Sequence, residues 1–161
     1  MGIFNDFLKE HGNDAFGFDT GVVKRAIHDL YKTGDANYMT TILNSLGTQI
    51  FITYFEIPKG LTKKEYKTIK GEPILFVSEN NEKFFPIFTK INQLVNWKPE
   101  VNENNQIKIT YLYVDYLFEL LKKEEYSDIS GYIINPESNE PLIITKDTLT
   151  KKFDTNTSIK I

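Results

Sequence analysis

Apolar side chains recur with a helical period twice in the first third of the chain. Val22, Val23, Ala26, Ile27, Leu30 and Tyr31 fall on one face, and Tyr38, Met39, Ile42, Leu43 and Leu46 on another. Asp19 or Thr20 can cap the first helix, and Gly34 stands where a left-handed C-terminal turn belongs. Asp35 can cap the second helix, which Gly47 ends. The spacing predicts a helical hairpin joined at Thr33-Gly34-Asp35. The period then changes. From Gln49 to Ile57 apolar residues occupy both alternations, the pattern of a strand covered on both faces and so placed near a sheet centre. The runs Pro73 to Ser78 and Lys83 to Phe88 flank Glu79-Asn80-Asn81-Glu82, where asparagine tolerates positive φ, and predict a hairpin. Thr89 reads as the cap of a helix continuing to about Trp97, with Ile91, Leu94 and Val95 on one face.

Further along, Ile107 to Tyr113 reads as a strand. Asp115 can cap a helix whose stripe is Leu117, Phe118, Leu120 and Leu121, and Lys122 and Lys123 suit its C-terminal dipole. Tyr132 to Asn135 and Pro141 to Thr145 are expected strands around a turn at 136–140, and Thr145 or Asp147 opens a last helix ending near Phe153. The expected fold class is α+β: a single mixed, mainly antiparallel sheet of about six strands, an N-terminal helical hairpin, and helices packed on the sheet. Residues 1–18, with Phe4, Phe7 and Leu8 ahead of a loop-like run from His11 to Gly17, are expected to be an arm. The domain proper is 19–153, and 154–161 a tail.

Composition supports one packed core, with 40% hydrophobic and 25% charged residues in a chain of 161. The absence of cysteine removes disulfides, thiolate nucleophiles and cysteine zinc sites, and fits a reducing cytoplasm. No basic leader with an apolar core opens the chain, and the apolar run from Ile50 to Ile57 is too short to span a bilayer. Neither secretion nor membrane insertion is therefore expected. Charge is unevenly spread. Pro58 to Lys70 carries five lysines against Glu65, a net +4, whereas Glu100 to Glu140 carries nine acids against three lysines, a net −6. Solvated faces account for most such runs. The same polarity is what an acidic surface facing a basic partner would need.

Four motifs stand in a telling order. Gly71-Glu72-Pro73 leads into a strand, Phe85-Pro86-Ile87-Phe88-Thr89 ends one, a helix closes on Trp97, and Gly131-Tyr132-Ile133-Ile134 is halted by Asn135-Pro136. Together they resemble the N-terminal domain of the SseB family, named for enhanced serine sensitivity, over about residues 20–153. The resemblance implies that domain's fold, a cytoplasmic bacterial protein, and a binding or regulatory role without established catalysis.

Chemistry-bearing residues are sparse. His11 and His28 are the only imidazoles, and His28 is offset from the apolar face of its helix. No metal-ligand spacing, no glycine-rich phosphate cradle and, with Arg25 the lone arginine, no set of bidentate phosphate donors is present. The Lys59 to Lys70 stretch with Tyr66, read as a loop, lacks the several aromatics of an RNA-stacking platform. The carboxylate pairs Glu124/Glu125 and Glu100/Glu103 lie in polar segments that would leave their pKa values ordinary. The expectation is a non-catalytic domain without cofactor, metal or nucleic acid, recognising a protein partner. One concrete form is an immunity protein neutralising a basic toxin domain. The candidate interaction surface is Trp97, Tyr116, Glu119, Glu124, Glu125, Asp128, Tyr132, Asn135 and Glu137. The alternative is a small-molecule-binding regulator or weak enzyme with a cleft beside the Asn135-Pro136 turn.

Overall fold

The structure of the chain, a computed structural model, describes residues 21–158, with side chains up to Lys152. The expected arm at 1–18, the caps Asp19 and Thr20, and the end of the tail lie outside the described residues. Helices α1 (Gly21–Thr33) and α2 (Ala36–Leu46) form the expected hairpin. Gly34 turns the chain at φ 72°, its N–H donating to the Leu30 carbonyl at 2.8 Å. The Asp35 carboxylate then accepts from the Asn37 N–H at 2.9 Å, supplying one of the orphan bonds that open α2.

Strand β1 (Ile50–Pro58) is covered on both faces, as its double alternation requires. Phe51 and Phe55 enter the larger core with Val23, Ile27, Ile42 and Leu46. Ile52 and Tyr54 enter a second core on the opposite side with Phe88, Leu94, Ile107 and Ile109. Both sides of β1 therefore contribute apolar burial, at about 25 cal/mol per Å². Next, the lysine-rich segment contains a short helix, α3 (Lys63–Thr68), with a reciprocal cap. Thr62 Oγ1 accepts from the Glu65 N–H at 3.1 Å, and the Glu65 carboxylate accepts from the Thr62 N–H at 3.0 Å.

The single sheet expected from the strand pattern is instead two sheets, and the cause lies in one segment. Pro73 to Ser78 is not one strand. Its first residue joins Glu72 in β2 (Glu72–Pro73), paired with β1, and its later ones form β3 (Phe76–Val77), paired with β4 (Lys83–Ile87). A chain that changes partner midway joins two sheets without merging them. After α4 (Ile91–Leu94), strand β5 (Asn105–Tyr113) completes a three-stranded sheet ordered β2-β1-β5, antiparallel throughout. Helix α5 (Val114–Leu121), a short 3-10 turn at Glu124–Tyr126, β6 (Ile129–Ile134), β7 (Leu142–Thr145) and α6 (Lys146–Ser158) follow. The second sheet is ordered β3-β4-β6-β7, with β4 and β6 parallel and the other pairs antiparallel. One bridge ties the sheets, Ile52 and Phe88 exchanging backbone hydrogen bonds of 3.1 and 2.9 Å. The α+β class stands. The sheet count does not.

Two smaller corrections follow from tertiary demands. Thr89 does not cap a helix; it is buried, and α4 begins after Lys90, which makes no side-chain cap bond. The last helix continues past Phe153 to Ser158 and so takes in residues expected to be tail. At Gly131, φ 152°, a Cβ would lie 2.1 Å from the Ile144 carbonyl oxygen, so only glycine lets β7 approach β6 there. Pro86 sits in an interior strand beyond the reach of β3, and its carbonyl accepts from Thr53 Oγ1 at 2.5 Å. Among the described residues no helix is long and apolar enough to cross a membrane.

Candidate functional site

Strands β4 and β6 form the parallel pair, so their carboxyl ends open on the same side of the sheet, and both chains turn away there. Ligands of open α/β sheets gather at such ends because the diverging connections leave a crevice. Asn135, the first residue past β6, holds the two exits together. Its N–H donates to the Ile87 carbonyl at 2.9 Å, its side-chain oxygen accepts from the Thr89 N–H at 3.0 Å, and its amide nitrogen lies 3.1 Å from Thr89 Oγ1. Asn135 is 3% exposed, so these bonds satisfy a group that burial would otherwise penalise. Its φ of 53° and the 62° of Glu137 make a tight turn from two left-handed residues. Glutamate tolerates that region poorly, and such outliers persist only where the surroundings enforce them. Ser138 contributes by donating to the Asn135 carbonyl at 2.5 Å while its hydroxyl oxygen accepts from the Glu140 N–H at 3.3 Å.

Helix α1 is latched across this turn. His28 Nδ1 lies 3.0 Å from a Glu140 carboxylate oxygen, to which its N–H donates, and the Tyr31 hydroxyl donates to the Pro141 carbonyl. Partial burial, and then the Glu140 charge, push the Tyr31 pKa up, keeping that hydroxyl a donor. Between latch and turn lies a cleft of about 280 Å³. Lys24 and Ile27 of α1 form one wall, Gln93 and Asn96 at the end of α4 a second, and the turn from Asn135 to Glu140 the third. Hollows of about 430 Å³, on the β3 side of the same turn at Glu137 and Ser138, of about 320 Å³, beside Lys24 and Glu140, and of about 530 Å³, at the end of β1, are shallower.

The nine residues proposed as an interaction surface do not come together as one face. Tyr132 is fully buried, its hydroxyl donating to the Val114 carbonyl at 2.8 Å, and this corrects its assignment to a surface. Asn135 is likewise interior, a turn former bound to Thr89. Trp97 is half-buried against Phe76, Tyr54 and Phe88, at ring centroid distances of 5.3, 6.0 and 6.5 Å. Tyr116 stacks on Phe55 at 6.5 Å beneath the Lys70 ammonium, 3.6 Å from its ring centre. The acids do face solvent, although two are engaged. Lys83 donates to Asp128 at 2.8 Å, a bond that holds the Asp128 pKa below the ordinary aspartate value, and Lys122 donates to Glu119 at 3.2 Å. Glu124, Glu125 and Glu137 are exposed, and of the nine only Asn135 and Glu137 line the cleft.

Lys24, Gln93, Asn96, Ser138, Asn139 and Glu140 were not legible as site residues, since they are ordinary polar residues scattered over three elements. The one local signal was the turn itself. Among the described residues no group of three or more His, Asp or Glu is placed to hold a metal ion. No family model, no curated protein and no solved structure matches this chain.

Proposed function

We propose that the chain is a non-catalytic recognition domain whose binding element is the cleft along the 135–141 turn. The observation that carries this reading is the built character of that cleft. A buried Asn-Thr lock and two left-handed residues shape one wall, and a helix is latched to its far rim. Rigid elements with polar groups converging on a hollow are what selective binding of a small molecule requires. The motif order resembling the SseB N-terminal domain agrees with a regulatory role in the cytoplasm. To test the reading, the full chain is titrated with a pooled set of bacterial metabolites and backbone amide shifts are followed. Saturable shifts centred on residues 93–96 and 135–140 support it, and shifts confined to other faces, or none, overturn it.

A second reading has its own observation. Glu119, Glu124 and Glu125 present carboxylates to solvent on consecutive elements, the kind of field that steers a basic protein partner such as a toxin domain. A basic partner that binds the chain at low salt and is lost on the double substitution Glu124→Lys and Glu125→Lys supports it. Binding indifferent to those changes overturns it.

A further inference from the structure

We infer that the ligand of this cleft is a small zwitterion, an amino-acid-like molecule carrying one cationic and one anionic group. The inference rests on the cleft being the binding element. It follows from which polar groups the fold leaves available. The Asn135 amide is engaged with Thr89 and the Ser138 hydroxyl with the Asn135 carbonyl. What then lines the cleft is Lys24 on the α1 wall, Glu137 on the facing turn with the His28-paired Glu140 carboxylate near it, and carboxamides at Gln93, Asn96 and Asn139.

Opposite charges on facing walls set the ligand's charge pattern. A simple anion would be drawn to Lys24 and repelled by Glu137, and a simple cation would meet the reverse. A molecule with both charges satisfies both walls. Carboxamides suit either end, because each offers two N–H donors and an oxygen acceptor. Volume sets the size. At about 30 Å³ per water the cleft of about 280 Å³ holds some nine waters, below the range of about 300–1,000 Å³ that takes drug-sized ligands.

The test titrates the full chain, by amide shifts and calorimetry, with each free amino acid, its carboxamide (no carboxylate), its N-acetyl form (no ammonium), and glycerol and inositol as neutral polyols. At least one free amino acid is expected to saturate the cleft. Its two singly charged forms are expected to bind at least roughly tenfold more weakly, the scale of one charged hydrogen bond. Lys24→Met should weaken the free amino acid by a similar factor while leaving the carboxamide form unaffected, and Glu137→Gln should do the same with the N-acetyl form unaffected. Both residues are exposed, and an unchanged unfolding midpoint verifies that each variant folds. A polyol or a singly charged form that saturates the cleft better than every zwitterion overturns the ligand class and leaves the cleft standing. Silence from all these probes also overturns the class. The cleft itself falls only if the pooled metabolites leave residues 93–96 and 135–140 unshifted too.

Discussion

Asn135 performs two tasks that separate substitutions can pull apart. Its backbone occupies the left-handed region at φ 53°, and its side chain bonds Thr89 from a buried position. Asn135→Ala loses both, with an expected cost of roughly 2–5 kcal/mol, from about 1–2 for the backbone and about 1–3 for the unmet bonds. Asn135→Gly should recover the backbone part only, and the difference between their urea midpoints measures it. Equal midpoints would show that φ carries no strain. Gly131→Ala presents a harder conflict, because the added Cβ meets the Ile144 backbone oxygen at 2.1 Å and β7 cannot yield without breaking its pairing with β6. A loss of at least about 3 kcal/mol is expected in denaturant unfolding, at the upper end for single substitutions. Neither role was open to inspection in the chain alone. Asn135-Pro136 reads as a turn because asparagine suits one, but its partner Thr89 is 46 positions away and reads equally well as a helix cap.

At the scale of elements, the most exposed dependency is that of α3 on a buried lysine. Lys108, on β5 and 9% exposed, donates from its ammonium to the carbonyls of Tyr66 at 2.6 Å and Ile69 at 3.1 Å, completing the C-terminal end of a six-residue helix. A helix that short is marginal alone, so its persistence depends on its caps and this anchor. Lys108→Met keeps the apolar stem and removes the donors. Hydrogen exchange of residues 63–69 is expected to accelerate markedly, with a global loss of about 1–3 kcal/mol. Exchange unchanged from the parent would refute the dependency. The α1 latch is similarly separable. Replacing Tyr31 with Phe removes its bond to Pro141 and should loosen the 138–141 turn in exchange measurements while the buried side of α1, at Val23, Ala26 and Ile27, stays protected. Helices α1, α2 and α5 were legible because each buries one face against the larger core, and that demand imprints a period. Helix α3 buries nothing, so a lysine-rich stretch concealed it.

For the whole molecule, the buried tyrosines set an alkaline limit. Burial raises the hydroxyl pKa values of Tyr54 and Tyr132 above the ordinary tyrosine value, and burial followed by the Glu72 hydrogen bond does so for Tyr126. In the unfolded chain these groups ionise near pH 10. Above that pH the folded state retains protons that the unfolded state has lost, so stability is intact below about pH 10 and falls as pH rises further. Urea midpoints measured from about pH 8 to about pH 11 should be level and then decline, and a midpoint rising across that window would contradict the sign.

Fold class, the helical hairpin, the doubly covered β1 and the turns at Asn81 and Asn135 were all settled along the chain, because each depends on side-chain period or on a local backbone preference. The division into two sheets, the parallel pairing of β4 with β6, and the cleft with its latch were decided only in three dimensions. Pro73 to Ser78 carries no mark of the point where it changes partner, and His28 and Glu140 meet across 112 positions as two unremarkable polar residues. Period records what a segment buries; which distant segment it meets is set by packing the whole core at once.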